Sequence, residues 1–311
     1  MAVAIGIDLG GTELRAAAMD EAGVVLSHAQ VPTAAHAGPA AVIAQMQTLV
    51  EEVGAGLTPI GIGIGSPGPL DAEAGLVIHA PMLSGWWDVP LARLMAARTG
   101  LPTVIENDAN VAALAEWRFG AGQGARHLVY VTVSTGIGGG IIIDGRLLRG
   151  YRGMAGEIGH MAMTEAPIPC ACGGLGCFEA LASGSALGRR AQEAGLLGDA
   201  PVSAPVSARE VAAMAAQGHP LARALMRDEA RYLGLGFTNL LHLYAPEVIV
   251  VGGGLSACLP AMAGDIQAVI EARAMPAFRA VPVLAAGLGT RAGVIGAALL
   301  GLGAVEPEPR R

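Results

Sequence analysis

Apolar residues open the chain without interruption from Val3 to Ile7 and stop at Asp8, which predicts a buried strand over Val3–Asp8. Glu13–Asp20 and Val24–Val31 predict two further strands, with the turn Asp20-Glu21-Ala22-Gly23 between them. Helical spacing follows over Pro39–Val53, and Pro59–Gly65 reads as a strand. Leu91–Arg98 reads as a helix closed by Gly100. Pro102–Ile105 is then a strand leading to Asp108, with a helix over Asn110–Arg118.

The same order begins again at Leu128. Strands are expected at Leu128–Val133, Gly139–Asp144 and Arg146–Leu148, with Asp144-Gly145 as a hairpin turn. Long helices are expected at Phe178–Ala194 and Leu221–Leu243. Val248–Val251 (strand), Leu259–Arg273 (helix), Val281–Ala285 (strand) and Arg291–Leu302 (helix) complete the pattern, and the polar tail Glu306–Arg311 is expected to fray. Three strands followed by alternating helix and strand thus occur twice. The fold class is α/β, with two duplicated lobes facing a cleft and a crossing near Gly120–Gly124. The smaller lobe is expected over residues 1–119 plus 291–311, and the larger over 120–290.

Composition narrows the chemistry. The chain has 311 residues, longer than one usual domain, and its 53% hydrophobic and 14% charged content excludes a disordered chain. No stretch of apolar residues is long enough, free of glycine and proline, to predict a membrane span. Met1–Ile7 runs into Asp8 without a basic leader, so it reads as a strand and not as a signal peptide. A net charge of -7 argues against a nucleic-acid partner. All the basic residues are arginine, which excludes a P-loop, because that turn needs a lysine on the terminal phosphates. Of the cysteines Cys170, Cys172, Cys177 and Cys258, three cluster tightly; this suggests metal ligation in the cytoplasm over disulfides.

Several short motifs carry candidate chemistry. Asp8-Leu9-Gly10-Gly11-Thr12 follows the first strand; its glycines can bring successive amides to an anion, Thr12 adds a hydroxyl, and a hydrated magnesium ion suits Asp8. An ordinary hairpin turn is the competing reading. Ser134–Gly140 repeats the logic with Ser134, Thr135, Gly136, Gly138, Gly139 and Gly140, against a glycine-rich bulge. Gly252-Gly253-Gly254 joins a strand to a helix and could carry adenine and ribose, or be a tight connection only. Asp108 in Glu106-Asn107-Asp108-Ala109-Asn110 could be a helix N-cap or a general base on a substrate hydroxyl, with Asn107 and Asn110 reading a polyol.

His160, Cys170, Cys172 and Cys177 form a Cys₃His set of the kind that holds structural zinc; buried free thiols with a core histidine are the alternative. Glu157 and Glu179 bracket this clip and could accept hydrogen bonds from sugar hydroxyls, although glutamate is by default a surface residue. The other histidines read as surface or satisfied core groups. Trp86 and Trp87 are expected to pack at the base of their domain.

The order of these motifs resembles the ROK family of sugar kinases, repressors and open reading frames, from about Ile5 to Ala298. The resemblance implies the actin-like ATPase (ribonuclease H-like) fold and, most strongly by likeness to bacterial glucokinases, ATP-dependent phosphorylation of glucose at its 6-hydroxyl. It implies that Asp8 and Thr12 serve magnesium and phosphate, and that Asp108 is the catalytic base. Asn107, Glu157, His160 and Glu179 would contact the sugar, and Gly68, in Gly65-Ser66-Pro67-Gly68-Pro69, would line the sugar side. Gly10, Gly11, Thr135, Gly136, Gly138, Gly139 and Gly252–Gly254 would hold ATP. His160, Cys170, Cys172 and Cys177 would hold structural zinc. A homodimer or homotetramer is the expected assembly.

Two positions depart from the family pattern. Glu13 stands where the family often has lysine after Gly-Gly-Thr, and Met82 stands where many members carry a sugar-contacting asparagine. The reaction is therefore better defined than the hexose, and N-acetylglucosamine, N-acetylmannosamine, fructose and allose remain alternatives. A non-catalytic sugar-binding regulator of the same family would carry a helix-turn-helix ahead of the first motif, for which the seven residues before Asp8 leave no room.

Overall fold

The computed structural model describes residues 2–197 and 206–303, so the expected fraying at Glu306–Arg311 lies outside the described residues. The chain forms two compact units. One comprises residues 1–126, 140–156 and 288–311, and the other comprises 127–139 and 157–287.

In the first unit, strands β1 (Val3–Leu9), β2 (Glu13–Asp20) and β3 (Val25–Pro32) form an antiparallel meander, followed by α1 (Pro39–Val53) and β4 (Pro59–Ser66). Short strands β5 (Leu70–Asp71), β6 (Leu76–His79) and β7 (Trp87–Val89) make a separate antiparallel sheet. Next come α2 (Leu91–Thr99), β8 (Thr103–Asn107) and α3 (Asp108–Phe119). The main sheet runs β3-β2-β1-β4-β8, with β4 parallel to both β1 and β8. Its strands are mostly continuous apolar runs because both faces are covered. Ile5, Ile7, Ile62 and Ile64 are fully buried in one core with Val42, Met46 and Leu49 of α1.

Strands β9 (Leu128–Val133), β10 (Ile137–Ile143) and β11 (Arg146–Leu147) open the repeat. Helices α4 (Phe178–Ala182), α5 (Gly184–Glu193), α6 (Ala208–Ala216) and α7 (Pro220–Tyr244) follow, then β12 (Val248–Gly252), α8 (Leu259–Arg273), β13 (Val283–Ala285) and α9 (Ala292–Gly301). The second sheet runs β11-β10-β9-β12-β13. Numbered within its own set, each main sheet therefore has the order third, second, first, fourth, fifth, and this shared order is the duplication that the sequence pattern anticipates.

Helix α9 returns to the first unit and docks on glycines. A Cβ at Gly63 would lie 1.8 Å from Ala297 O, and one at Gly6 would lie 2.0 Å from Val294 O. Gly140–Gly156 also belongs to the first unit; a Cβ at Gly140 would lie 2.9 Å from Ala109 O of α3, so strand and helix are in direct contact there.

Three expectations need correction, and two elements lie outside the predicted set. The single helix over Phe178–Ala194 is two helices, because Ser183 is extended and its hydroxyl accepts the Ala186 N–H as the N-cap of α5. The N-cap of α3 is Asn107 and not Asp108. Trp86 is fully buried, but Trp87 is 64% exposed and stacks on His79 with ring centroids 3.6 Å apart, so only one of the pair is a packing residue. Finally, α6 and the β5–β7 sheet have no counterpart in the sequence reading. No helix among the described residues is long and apolar enough to cross a membrane.

Candidate active site

In the first unit, β1 delivers Asp8 to the turn Gly10–Thr12. The Gly10 N–H donates to Glu13 O at 3.0 Å, and Thr33 Oγ1 donates to Gly10 O at 2.8 Å, which fixes the turn from a neighbouring strand end. Burial raises the Asp8 carboxyl above the usual carboxylate range, and Arg15, whose Nη1 lies 3.3 Å from Asp8 Oδ2, opposes that rise. Arg15 also pairs with Glu13. Met82 sits over this turn, its Cβ 2.9 Å from where a Cβ on Gly11 would stand.

The second feature of this unit is the junction of β8 and α3. Asn107 Oδ1 accepts the Ala109 N–H at 2.9 Å and the Asn110 N–H at 3.3 Å, so Asn107 caps the helix and Asp108 is its first residue. Asp108 Oδ1 accepts the Ala109 N–H at 2.8 Å. A carboxylate in the first turn is also favoured by the helix dipole. Gly68 lies beside this junction, where its Cβ would be 3.6 Å from Asn107 Nδ2.

Beneath the junction is Glu106, buried to 1% exposure. Its Oε1 accepts the Asn107 N–H and the Asn110 side-chain amide, each at 3.0 Å, while its Oε2 accepts Arg149 Nε at 2.8 Å. Burying a carboxyl group is costly unless it is paired and hydrogen-bonded in this way. Glu106 stands in a motif that names no role for it, and Arg149 has no signal in the sequence at all, since the partners lie 43 positions apart and no local spacing reveals the pair.

In the second unit, the bend Ser134–Gly136 is closed by the Ser134 N–H donating to Gly136 O at 2.9 Å. Thr135 and Gly136 lie in this bend, whereas Gly138 and Gly139 lie already in β10. The Gly252–Gly254 turn sits against the same end of β9. Gly253 has φ 79°, and its Cβ would lie 2.4 Å from Val133 O, so only glycine fits there. The two glycine segments are thus brought together.

His160, Cys170, Cys172 and Cys177 present ligand atoms that all lie within 4.8 Å of one another. His160 Nδ1 is 3.7 Å from Cys170 Sγ, and Cys172 Sγ is 3.8 Å from Cys177 Sγ. Zinc–sulfur bonds of about 2.3 Å in a tetrahedron set sulfur–sulfur edges of about 3.8 Å, so the donor set fits that ion. Burial pushes the Cys177 thiol up to about 12, and the neighbouring thiols add to this; a bound cation would reverse the preference. His160 turns its other ring nitrogen towards Glu157, at 3.8 Å from Oε2. Glu157 is exposed, whereas Glu179 uses Oε2 to accept the Ile137 N–H at 2.9 Å.

Two sheets of identical strand order, each with a glycine turn beside its first strand, define the class: an actin-like ATPase fold. The chain belongs to the ROK family, whose family model matches residues 4–303. It is 38% identical to the glucokinase of Streptomyces coelicolor over 322 aligned residues, covering 99% of each chain. Among solved structures, it is similar to the ROK hexokinase of Thermus thermophilus (39% identity, TM-score 0.82, covering 96% of this chain and 97% of that one). It is also similar to a ROK glucokinase from Streptomyces griseus in complex with glucose and AMPPNP, with 36% identity and a TM-score of 0.84, covering 96% and 99%.

Proposed function

We propose that the protein is an ATP-dependent hexose kinase that transfers the terminal phosphoryl group of ATP to glucose. The observation that carries this reading is the full-length likeness to a ROK glucokinase whose structure holds glucose and AMPPNP. The order of motifs in this chain supports it.

In this reading Asp108 accepts the proton of the sugar's 6-hydroxyl while that oxygen attacks the terminal phosphorus and the bond to the ADP oxygen breaks. Phosphoryl transfer asks a protein mainly for positioning and charge stabilisation. Asn107 and Gly68 lie beside the base on the sugar side. Glu157, His160 and Glu179 read the sugar hydroxyls. Gly10, Gly11 and Thr12 hold phosphate, and Thr135, Gly136, Gly138, Gly139 and Gly252–Gly254 hold the nucleotide. Asp8 would hold magnesium, which when bound neutralises charge developing on the phosphates. The Cys₃His clip would hold zinc as a structural ion that orients His160.

The test is ADP release across a panel of glucose, N-acetylglucosamine, N-acetylmannosamine, fructose and allose. Glucose is expected to give the highest kcat/KM. Preference for another hexose would retain the kinase and replace the substrate, whereas no ADP with any sugar would end the reading.

A further inference from the structure

Glu179 joins the metal clip of the second unit to its glycine-rich bend. Its Oε2 accepts the Ile137 N–H at 2.9 Å, and its Oε1 lies 3.9 Å from Cys170 Sγ. Gly136 is the neighbour that permits this approach, because a Cβ there would stand 2.3 Å from Glu179 Oε2. The carbonyl of Ile137 is met from the other side by Gly159, whose Cβ would lie 2.0 Å from that oxygen. Ile137 is therefore held at its N–H by Glu179 and approached closely at its C=O by Gly159. Both residues lie beside the clip: Gly159 adjoins His160, and Glu179 is two residues from Cys177. The turn is also secured on its far side, where the Gly184 N–H donates to Ser134 O at 2.7 Å.

We infer that Glu179 is a positioning residue that braces the Ser134–Gly136 bend, at the start of β10, against the metal clip, so that zinc held by His160 and the three cysteines tightens nucleotide binding as well as sugar binding. This rests on the reading that the turn holds the phosphates of ATP. Glycine widens the backbone freedom of this turn, so much of its order must come from what touches it. A carboxylate accepting a backbone N–H is a charge-assisted bond, among the stronger ones available. Drawing four ligands onto one ion fixes the segments that carry Gly159 and Glu179; releasing the ion loosens the hydrogen bond from Ile137 to Glu179 and the close packing of Gly159 on the Ile137 carbonyl.

The experiment measures affinity for AMPPNP with magnesium by titration calorimetry, on the full chain with zinc loaded and with zinc removed by a chelator that is then dialysed away. Wild type, Glu179→Ala and Glu179→Gln are compared, with zinc content measured in each. Zinc removal is expected to weaken AMPPNP binding by about tenfold in the wild type, the scale of one charge-assisted hydrogen bond. Glu179→Ala should weaken it similarly at unchanged zinc content, and removing zinc from that variant should add little. Glu179→Gln, which keeps a neutral acceptor, should fall between the two. AMPPNP binding that is the same with and without zinc overturns the inference and leaves the kinase reading intact. No AMPPNP binding to the zinc-loaded wild type overturns both. Should the zinc-free chain unfold, the zinc-loaded variants decide alone: affinity unchanged in Glu179→Ala overturns the inference.

Discussion

Gly293 presses directly on Asp8: a Cβ at position 293 would stand 2.7 Å from both Cγ and Oδ2 of the carboxyl group. The first turn of α9 thus closes one side of the proposed magnesium ligand, and the carboxyl is buried enough for its affinity for protons to rise. Gly293→Ala is expected to displace Asp8 and lower kcat/KM with magnesium-ATP by about tenfold, a shift worth about 1.4 kcal/mol. Alanine's better helix propensity, up to about 1 kcal/mol, should keep stability near that of the wild type. Turnover titrated with magnesium checks this, and an unchanged magnesium requirement would contradict it.

The clip makes a separate prediction. Cys172→Ser removes one thiolate from a set whose ligand atoms lie within 4.8 Å of one another. The variant should lose bound zinc in elemental analysis and melt at a lower temperature, because ligand binding to the folded state alone adds to stability. Wild-type protein purified without zinc, or a variant that retains it, would refute the assignment.

A buried acid away from the proposed chemistry predicts a pH effect. Glu229 of α7 is fully buried against Arg190 of α5, and burial pushes its carboxyl up to about 7 with the Arg190 charge only partly opposing. Its Oε1 has no hydrogen-bond partner among the described residues. The folded state therefore keeps this proton up to about pH 7, while the unfolded chain releases it near the ordinary glutamate value of 4.5. Across that window the folded state binds more protons, so this group's contribution to stability falls as pH rises. Urea midpoints at pH 5 and pH 8 should drop more in the wild type than in Glu229→Gln; parallel curves would contradict the assignment. The comparison is of slopes, because the substitution also alters the hydrogen bond that Arg190 donates to this side chain.

The cap at α3 can be tested by Asn107→Ala. Loss of the side-chain oxygen that accepts from Ala109 and Asn110 should cost about 1 kcal/mol of stability. Because Asp108 follows it, kcat should also fall, and by more than the small change in folded population explains. A variant with lowered stability but unaltered kcat would separate the cap from the active site.

Much of this architecture is legible in the sequence, and what is not has physical causes. Helix α8 and strand β9 have the bounds that periodicity and apolar runs predict. Asp108 could be placed at a strand-to-helix junction, but choosing which neighbour caps the helix required the geometry of Asn107. The β5–β7 sheet escapes because its strands have two to four residues, too short for any period to show. Helix α6 carries a local signal, since Ser207 and Glu210 form a capping box at its start. Ser183 is a second local cap, inside an otherwise helical stretch. The ties that hold the candidate site, Arg149 to Glu106 and Glu179 to Ile137, join residues 43 and 42 positions apart, and no local rule reaches that far.

The central claim is that Asp108 takes the proton of the sugar hydroxyl. Its most direct test measures steady-state turnover with glucose and ATP for wild type and Asp108→Asn, together with glucose affinity by calorimetry on both proteins. The account predicts that kcat falls by about 10²- to 10⁴-fold, the range for losing a general base, while glucose affinity stays within a few-fold. Turnover close to that of the wild type in Asp108→Asn would contradict it.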